Sequence, residues 1–328
     1  MPWMDALRGI AILLVILWHA PSIPSFLGFA VPPSFLTVGE FFLPFRMPAL
    51  MLLSGLLLPR SLAKGLPRYY LGKVQFIVWP YIIWSAIHIE QFGVGYPIED
   101  PRAWIATGYL WFIFFIALYY AVAPLFTRLP PWVVPVAFWI VAQLVPTGQL
   151  TDFFFYGGFF FAGNLVARQP GLLDAILRRH WLVAVLAVVA IVFGVVSTQV
   201  DVNRMPVLAL LSLAGIVAAI AATRVIGGSP LLRPLRFVGR ASIVYYVAHF
   251  PIMIVALKLF EQQVDAVTLV GILLLSALVG CTALAWLRNI IPFRWLFQAP
   301  LLGLIPLPRR SVDPSGDRHV SGQGDRRG

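Results

Sequence analysis

The chain has 328 residues, of which 60% are apolar and only 11% charged, with a mean hydropathy of +0.88. Soluble domains average about 25% charged residues, so this composition excludes an ordinary water-soluble fold. The net charge of +11 would suggest nucleic acid in a soluble protein. Here the basic residues sit in short stretches between apolar runs, so they read as topology signals and not as a nucleic-acid surface.

Ten apolar stretches follow in chain order, at about 4–20, 37–58, 72–89, 104–126, 132–146, 150–167, 181–198, 205–223, 240–260 and 266–290. Runs of roughly 20 apolar residues cross a bilayer core as helices, because a backbone in lipid has to satisfy its own hydrogen bonds. The expected fold is therefore all-α: a polytopic integral membrane bundle of about ten transmembrane helices. The first run carries Asp5 and Arg8 and lacks a cleavage pattern, so it is expected to stay as a span and not to be removed as a signal peptide. The fifth stretch is short and contains Pro135, so 132–167 could be one disturbed hairpin.

Loop charge alternates along the chain. Arg60, Lys64, Arg68 and Lys73, then Arg128, then Arg168, Arg178 and Arg179, then Arg224 to Arg240, then Arg288 and Arg294 fall on one side. The other side holds mostly acids, among them Glu40, Glu90, Glu99, Asp100, Asp201 and Glu261, with few bases for company. The basic side is expected to be cytoplasmic, together with both termini. One membrane domain covers 1–308, and the polar, Gly-rich stretch 309–328 is expected to be a disordered cytoplasmic tail. Cys281 is the single cysteine, so no internal disulfide can form; it is expected to pack as a small apolar residue.

Ionisable groups inside a bilayer cost about 2.5–3.5 kcal/mol each on insertion scales, so those present become candidates for function. On the first span, eleven steps of about 100° bring Arg8 and His19 to within about 20° of one another, at depths about 16 Å apart. Asp5 falls near the same face. Arg8 could simply snorkel to the headgroups, with His19 at the far interface. The functional alternative is an arginine that grips an anion at the cytoplasmic edge, with an imidazole deeper in the same groove for proton transfer.

Further along, Arg46 lies between Pro44 and Pro48 in the second span. It could bond carbonyls freed by those prolines, pair with Glu40, or hold a substrate oxygen near His19. Ser54-Gly55 suits close helix packing better than nucleophilic attack. Tyr109 and Trp111 open the fourth span, where aromatics usually form an interfacial belt. His249 precedes Pro251 in the ninth span at a depth like that of His19; a lone buried histidine there is ordinarily structural. His88, His180 and His319 receive no role. Phosphate-loop, dinucleotide, zinc-protease and nucleophile-elbow motifs are absent from the sequence, and no metal site is expected.

These segments together resemble the integral membrane acyltransferase family 3. DALRGIAILLVILWH resembles the opening motif of that family, in which a basic residue, ten further residues and a histidine follow one another. FRMPALMLLSGLLL resembles its second-span motif, YLWFIFFIALYY its Leu-Trp-Phe segment and VGRASIVYYVAHFPI its late Gly-x-x-Ser…His-x-Pro segment. The resemblance runs from about residue 4 to 290. Two departures stand out: Tyr109 occupies a place where the family often has His, and the basic cluster before the third span is thin, with Arg68, Lys73 and then Gln75.

The resemblance implies a bacterial cell-membrane enzyme that transfers an acyl group, typically acetyl, from cytoplasmic acyl-CoA to hydroxyls of sugars or cell-surface glycans. Such O-acetylation modifies surface polysaccharides. It also implies acyl-CoA (acetyl-CoA) as a co-substrate without a permanent cofactor. Carried onto these residues, Arg8 and His19 match the essential pair. Arg8, Arg68 and Lys73 would hold the CoA phosphates, and His19 would serve as general base or transient acyl carrier. Arg46 would join the catalytic set, and Asp5, Tyr109, Trp111 and His249 are candidates for substrate contact. A transporter or flippase for a glycan, lipid-linked sugar or small solute is the alternative, but its common folds favour paired broken helices in two repeated halves, and no second copy of the first-span pattern occurs.

Overall fold

Helices that are apolar all round must be buried in lipid or in one another, and the chain is built of little else. The computed structural model describes residues 1–92, 95–202 and 205–300, and among these there is no β-strand. In chain order the helices are α1 (Pro2–Phe26), α2 (Ser34–Phe41), α3 (Leu43–Gly55), α4 (Leu58–Leu62), α5 (Leu66–Lys73), α6 (Trp79–Phe92), α7 (Trp111–Val122) and α8 (Val133–Leu144). They continue as α9 (Gln149–Arg168), α10 (Pro170–Leu177), α11 (His180–Ser197), α12 (Ala209–Ile226), α13 (Arg233–Arg240), α14 (Ser242–Phe260) and α15 (Ala266–Leu287). A single π-helical turn, Val74–Val78, joins α5 to α6.

All ten expected stretches are helical. Among the described residues seven helical segments are each long and apolar enough to cross a membrane, and the bent pair Ser34–Phe41 and Leu43–Leu62, which is α2 with α3 and α4 and is kinked by 41°, makes an eighth. The count of ten is approximate for two reasons. α8 has only 12 residues, about 18 Å against a hydrocarbon core of about 30 Å. The third stretch is interrupted by the π turn before α6. The chain is thus a multi-pass membrane protein with an apolar outer surface; Leu275, Val279 and Trp286 on α15 all point away from the bundle and are exposed.

Two boundaries differ from expectation, and one expected stretch lies outside the described residues. α1 does not stop at residue 20 but continues through Pro21 and Pro24 to Phe26. Each proline removes only one N–H from the ladder, so the flanking bonds carry the helix on, and His19 comes to lie inside it. The basic stretch 224–240 is not a plain loop, because its second half folds as α13 and packs on α1. The expected tail 309–328 lies outside the described residues, as do Arg204, Arg309, Arg310 and His319.

α1 is the axis of the bundle, in contact with α2, α3, α12, α13, α14 and α15. Glycines set its tightest crossing. A Cβ on Gly9 would lie 2.0 Å from the Leu235 carbonyl oxygen, and one on Gly239 would lie 1.8 Å from that of Asp5. A matching crossing joins α3 to α9, where a Cβ on Gly55 would lie 1.8 Å from the Phe160 carbonyl oxygen. That agrees with close packing at Ser54-Gly55, and the Ser54 hydroxyl bonds back to Leu50 O at 2.8 Å. Cys281 is fully buried between α14 and α15.

Candidate active site

Two stripes of side chains face one another across the bundle. On α1, Arg8 and Ile12 lead up to His19; on α14, Ser242, Ile243 and Tyr246 lead up to His249. Between their basic-side ends lies a cavity of about 170 Å³, closed by Ser54 of α3, Ile77 of the π turn, and Phe112, Ile116 and Tyr120 of α7. Arg8 is the charged residue of this lining. Among the described residues its guanidinium makes no hydrogen bond or ion pair, and Tyr120 and Asp5 are its electrostatic neighbours.

Tyr120 links two of the expected anion contacts. Its hydroxyl donates to Ser54 O at 2.8 Å, and its ring carries the Lys73 ammonium 3.5 Å from the centroid. Arg8 and Lys73 therefore flank one tyrosine at the cavity's basic end. The π turn that follows Lys73 turns Ile77 into the same lining, a use to which such turns are often put near functional sites. Arg68 is exposed on α5 and stands outside this lining. Asp5 sits one turn before Arg8, on the part of α1 that α13 crosses.

Where the two stripes end, the two histidines meet. His249 Nε2 lies 3.3 Å from His19 Nδ1, with ring centroids 5.0 Å apart. His19 Nδ1 also lies 2.8 Å from Val15 O, and His249 Nδ1 lies 3.0 Å from Tyr245 O. A carbonyl can only accept, so each neutral imidazole carries its proton on Nδ1. His249 Nε2 is then an acceptor for the shared His19 Nδ1–H. The lone pair of His19 is left on Nε2, free to take a proton. His249 thus has a partner in His19 itself; the sequence placed the two at similar depths without joining them.

Arg46 is buried beside this pair, within electrostatic range of His19 and Tyr156. Its Nη1 donates to Gly39 O at 2.9 Å, and its guanidinium stacks 4.9 Å over Trp18, the residue before His19. The Trp18 ring in turn rests on Gly39, where a Cβ would come within 2.2 Å of it. Arg46 thus bonds a carbonyl at the α2–α3 break, but Gly39 O is not one freed by Pro44 or Pro48, which leave Glu40 O and Pro44 O without their helical donors. No ion pair with Glu40 is found; Pro44 has no N–H for the Glu40 carbonyl, and Ser197 Oγ donates to it instead at 2.7 Å.

Tyr109, a candidate for substrate contact, is tied into the bundle by its hydroxyl. Pro251 cannot donate to Val247 O, and the Tyr109 hydroxyl does so in its place at 2.5 Å. Its one proton is thereby committed. Its ring stacks on Phe250 at 4.7 Å, and Phe250 meets His19 edge-on at 5.6 Å. Trp111 packs on Tyr156 at 4.7 Å, on the Arg46 side and outside the Arg8 cavity.

Sequence reasoning passed over His88 and Tyr120. His88 is buried against Phe92, Tyr109 and Phe250, and its Nδ1 has no hydrogen-bond partner among the described residues. Its Nε2 presses on Gly108, where φ is +47° and a Cβ would lie 2.2 Å away. Tyr120 was hidden in an aromatic run, though Phe112, Ile116 and Tyr120 recur at the four-residue spacing of one helix face.

A family model described as an acyltransferase domain matches residues 1–286, a range that holds every side chain named in this site. No curated protein and no solved structure matches the chain.

Proposed function

The chain belongs to acyltransferase family 3, and on that premise we propose that it moves an acetyl group from cytoplasmic acetyl-CoA to a hydroxyl of a sugar or cell-surface glycan. It does so in the cytoplasmic membrane of a bacterium, with the basic ends of the helices inside. CoA phosphates dock at the mouth of the cavity against Arg8 and Lys73, and the thioester extends along the α1 stripe towards His19. The acceptor hydroxyl hydrogen-bonds His19 Nε2. As its oxygen attacks the thioester carbon, its proton passes to Nε2, the C–S bond breaks, and the proton leaves on the CoA sulfur. His249 and the Val15 carbonyl hold the imidazole in the required tautomer, and Arg46 steadies charge close to it.

One observation carries this reading: a histidine whose Nε2 lone pair is available stands on the same helix face as an arginine that makes no hydrogen bond or ion pair among the described residues. The test uses purified full-length protein with labelled acetyl-CoA, paired with mass spectrometry of surface glycans from cells with and without it. His19→Ala should stop label transfer and remove the acetyl mass while the protein is still made. A His19→Ala protein with full activity would overturn the assignment, and a trapped acetyl on His19 would replace the base by a covalent carrier.

A further inference from the structure

Beside the stripe that carries Arg8, an adjoining side of α1 borders a second hollow. It is an apolar groove of about 320 Å³, walled by Leu7 and Ala11 of α1, Ala190 of α11, and Gly215 and Ala219 of α12, with Arg46 as its one charged lining residue. Small residues usually let membrane helices close on one another; here they leave the space open. The groove lies wholly among the spans, and its rim at Ile191 is 57% exposed on the outer surface of the bundle, so a hydrocarbon chain can slide in sideways.

Arg46 says what such a chain must carry. It is 6% exposed, and among the described residues it has no carboxylate partner; its only hydrogen bond is the one to Gly39 O. A buried cation without a counter-charge is costly. A planar guanidinium with free N–H groups matches a phosphate in shape and charge. A neutral thioester or an unmodified sugar would leave that charge uncompensated.

We infer that this groove and Arg46 form a binding site for a single-chain lipid phosphate, so that the acceptor sugar is presented on a membrane-anchored phosphate carrier. The chain lies along Leu7, Ala11, Ala190 and Ala219, the phosphate meets Arg46, and the attached headgroup reaches His19, which is within electrostatic range of Arg46. The acceptor role rests on the proposed transfer reaction; the binding site does not.

The test is equilibrium binding of farnesyl phosphate to the full-length protein, followed by tryptophan fluorescence, with farnesol and phosphatidylglycerol as controls. Farnesyl phosphate should bind about tenfold or more tightly than farnesol. Arg46→Gln should erase that difference. Ala219→Phe, which fills the groove, and Ala222→Phe, at its exposed rim, should each weaken farnesyl phosphate about tenfold while CoA still binds, which shows that the fold is intact. Equal affinity for farnesol, equal affinity for phosphatidylglycerol, or indifference to both phenylalanine variants would each overturn the site. Binding as expected without any acetyl transfer would leave the site standing and remove the transfer reading. Transfer to a soluble sugar that ignores both variants would do the reverse.

Discussion

Arg8 and Arg46 are both arginines set in apolar helices, yet the protein treats them differently. Arg8 stands at the basic-side end of a cavity, half-buried, against the tyrosine that also carries Lys73. Arg46 is enclosed, stacked on Trp18 and tied to Gly39 O at the kink between α2 and α3. The first can reach towards water and recruit a multiply charged ligand beside a second cation. The second is fixed in one orientation and serves whatever comes next to His19. An arginine's value within a membrane thus depends on how many of its N–H groups the fold has already used.

That contrast can be broken most sharply at the residue between the two regions. His19→Ala should lower acetyl transfer by about 10²–10⁴-fold, the range expected for loss of a general base, read as label transfer under single-turnover conditions. Next comes the split between the arginines. Arg8→Ala should raise KM for acetyl-CoA about tenfold or more and leave acceptor KM in place; if the acceptor KM moves instead, the two ends have been assigned backwards. Arg8→Lys should keep more activity than Arg8→Ala, and equal loss in both would establish a bidentate requirement. His249→Phe keeps an aromatic ring but removes the acceptor for His19 Nδ1–H. It should cost about tenfold in kcat with little change in either KM, whereas a purely packing role for His249 would leave kcat as it was. The smallest effect is expected at Tyr109→Phe, which uncovers the Val247 carbonyl. A loss of about 1 kcal/mol of stability, measured as a lower Tm in detergent, should come with nearly normal kcat; a collapse of kcat would return Tyr109 to the chemistry.

Much of this was legible in the sequence because membrane helices announce themselves locally. Apolar run length gave the long spanning stretches but not short helices such as α10 and α13, and helical spacing alone put Arg8 and His19 on one face. What stayed hidden was contact between distant segments. Nothing in residues 240–260 says that His249 will meet a ring 230 positions away, nor that Lys73 will settle on Tyr120. Prolines misled in both directions. Pro21 looked like an end to α1, although one missing N–H does not stop a helix whose other bonds are intact. Pro251 stood only as a neighbour of His249, yet the carbonyl it frees is what engages Tyr109. The basic stretch before α14 was read as charge alone, while Gly239 marked it as a helix able to press on α1.

One rigid element carries both ends of the proposed reaction. Arg8 and His19 are eleven residues apart on an uninterrupted helix, and that helix is locked by the glycine crossing at Gly9 and Gly239. It therefore works as a ruler. A donor gripped at Arg8 can deliver its carbonyl to His19 only if about 16 Å of extended molecule separates its anionic handle from its reactive carbon. Small activated acids such as acetyl phosphate, whose charge and carbonyl are neighbours, fall short by most of that length, whatever their intrinsic reactivity.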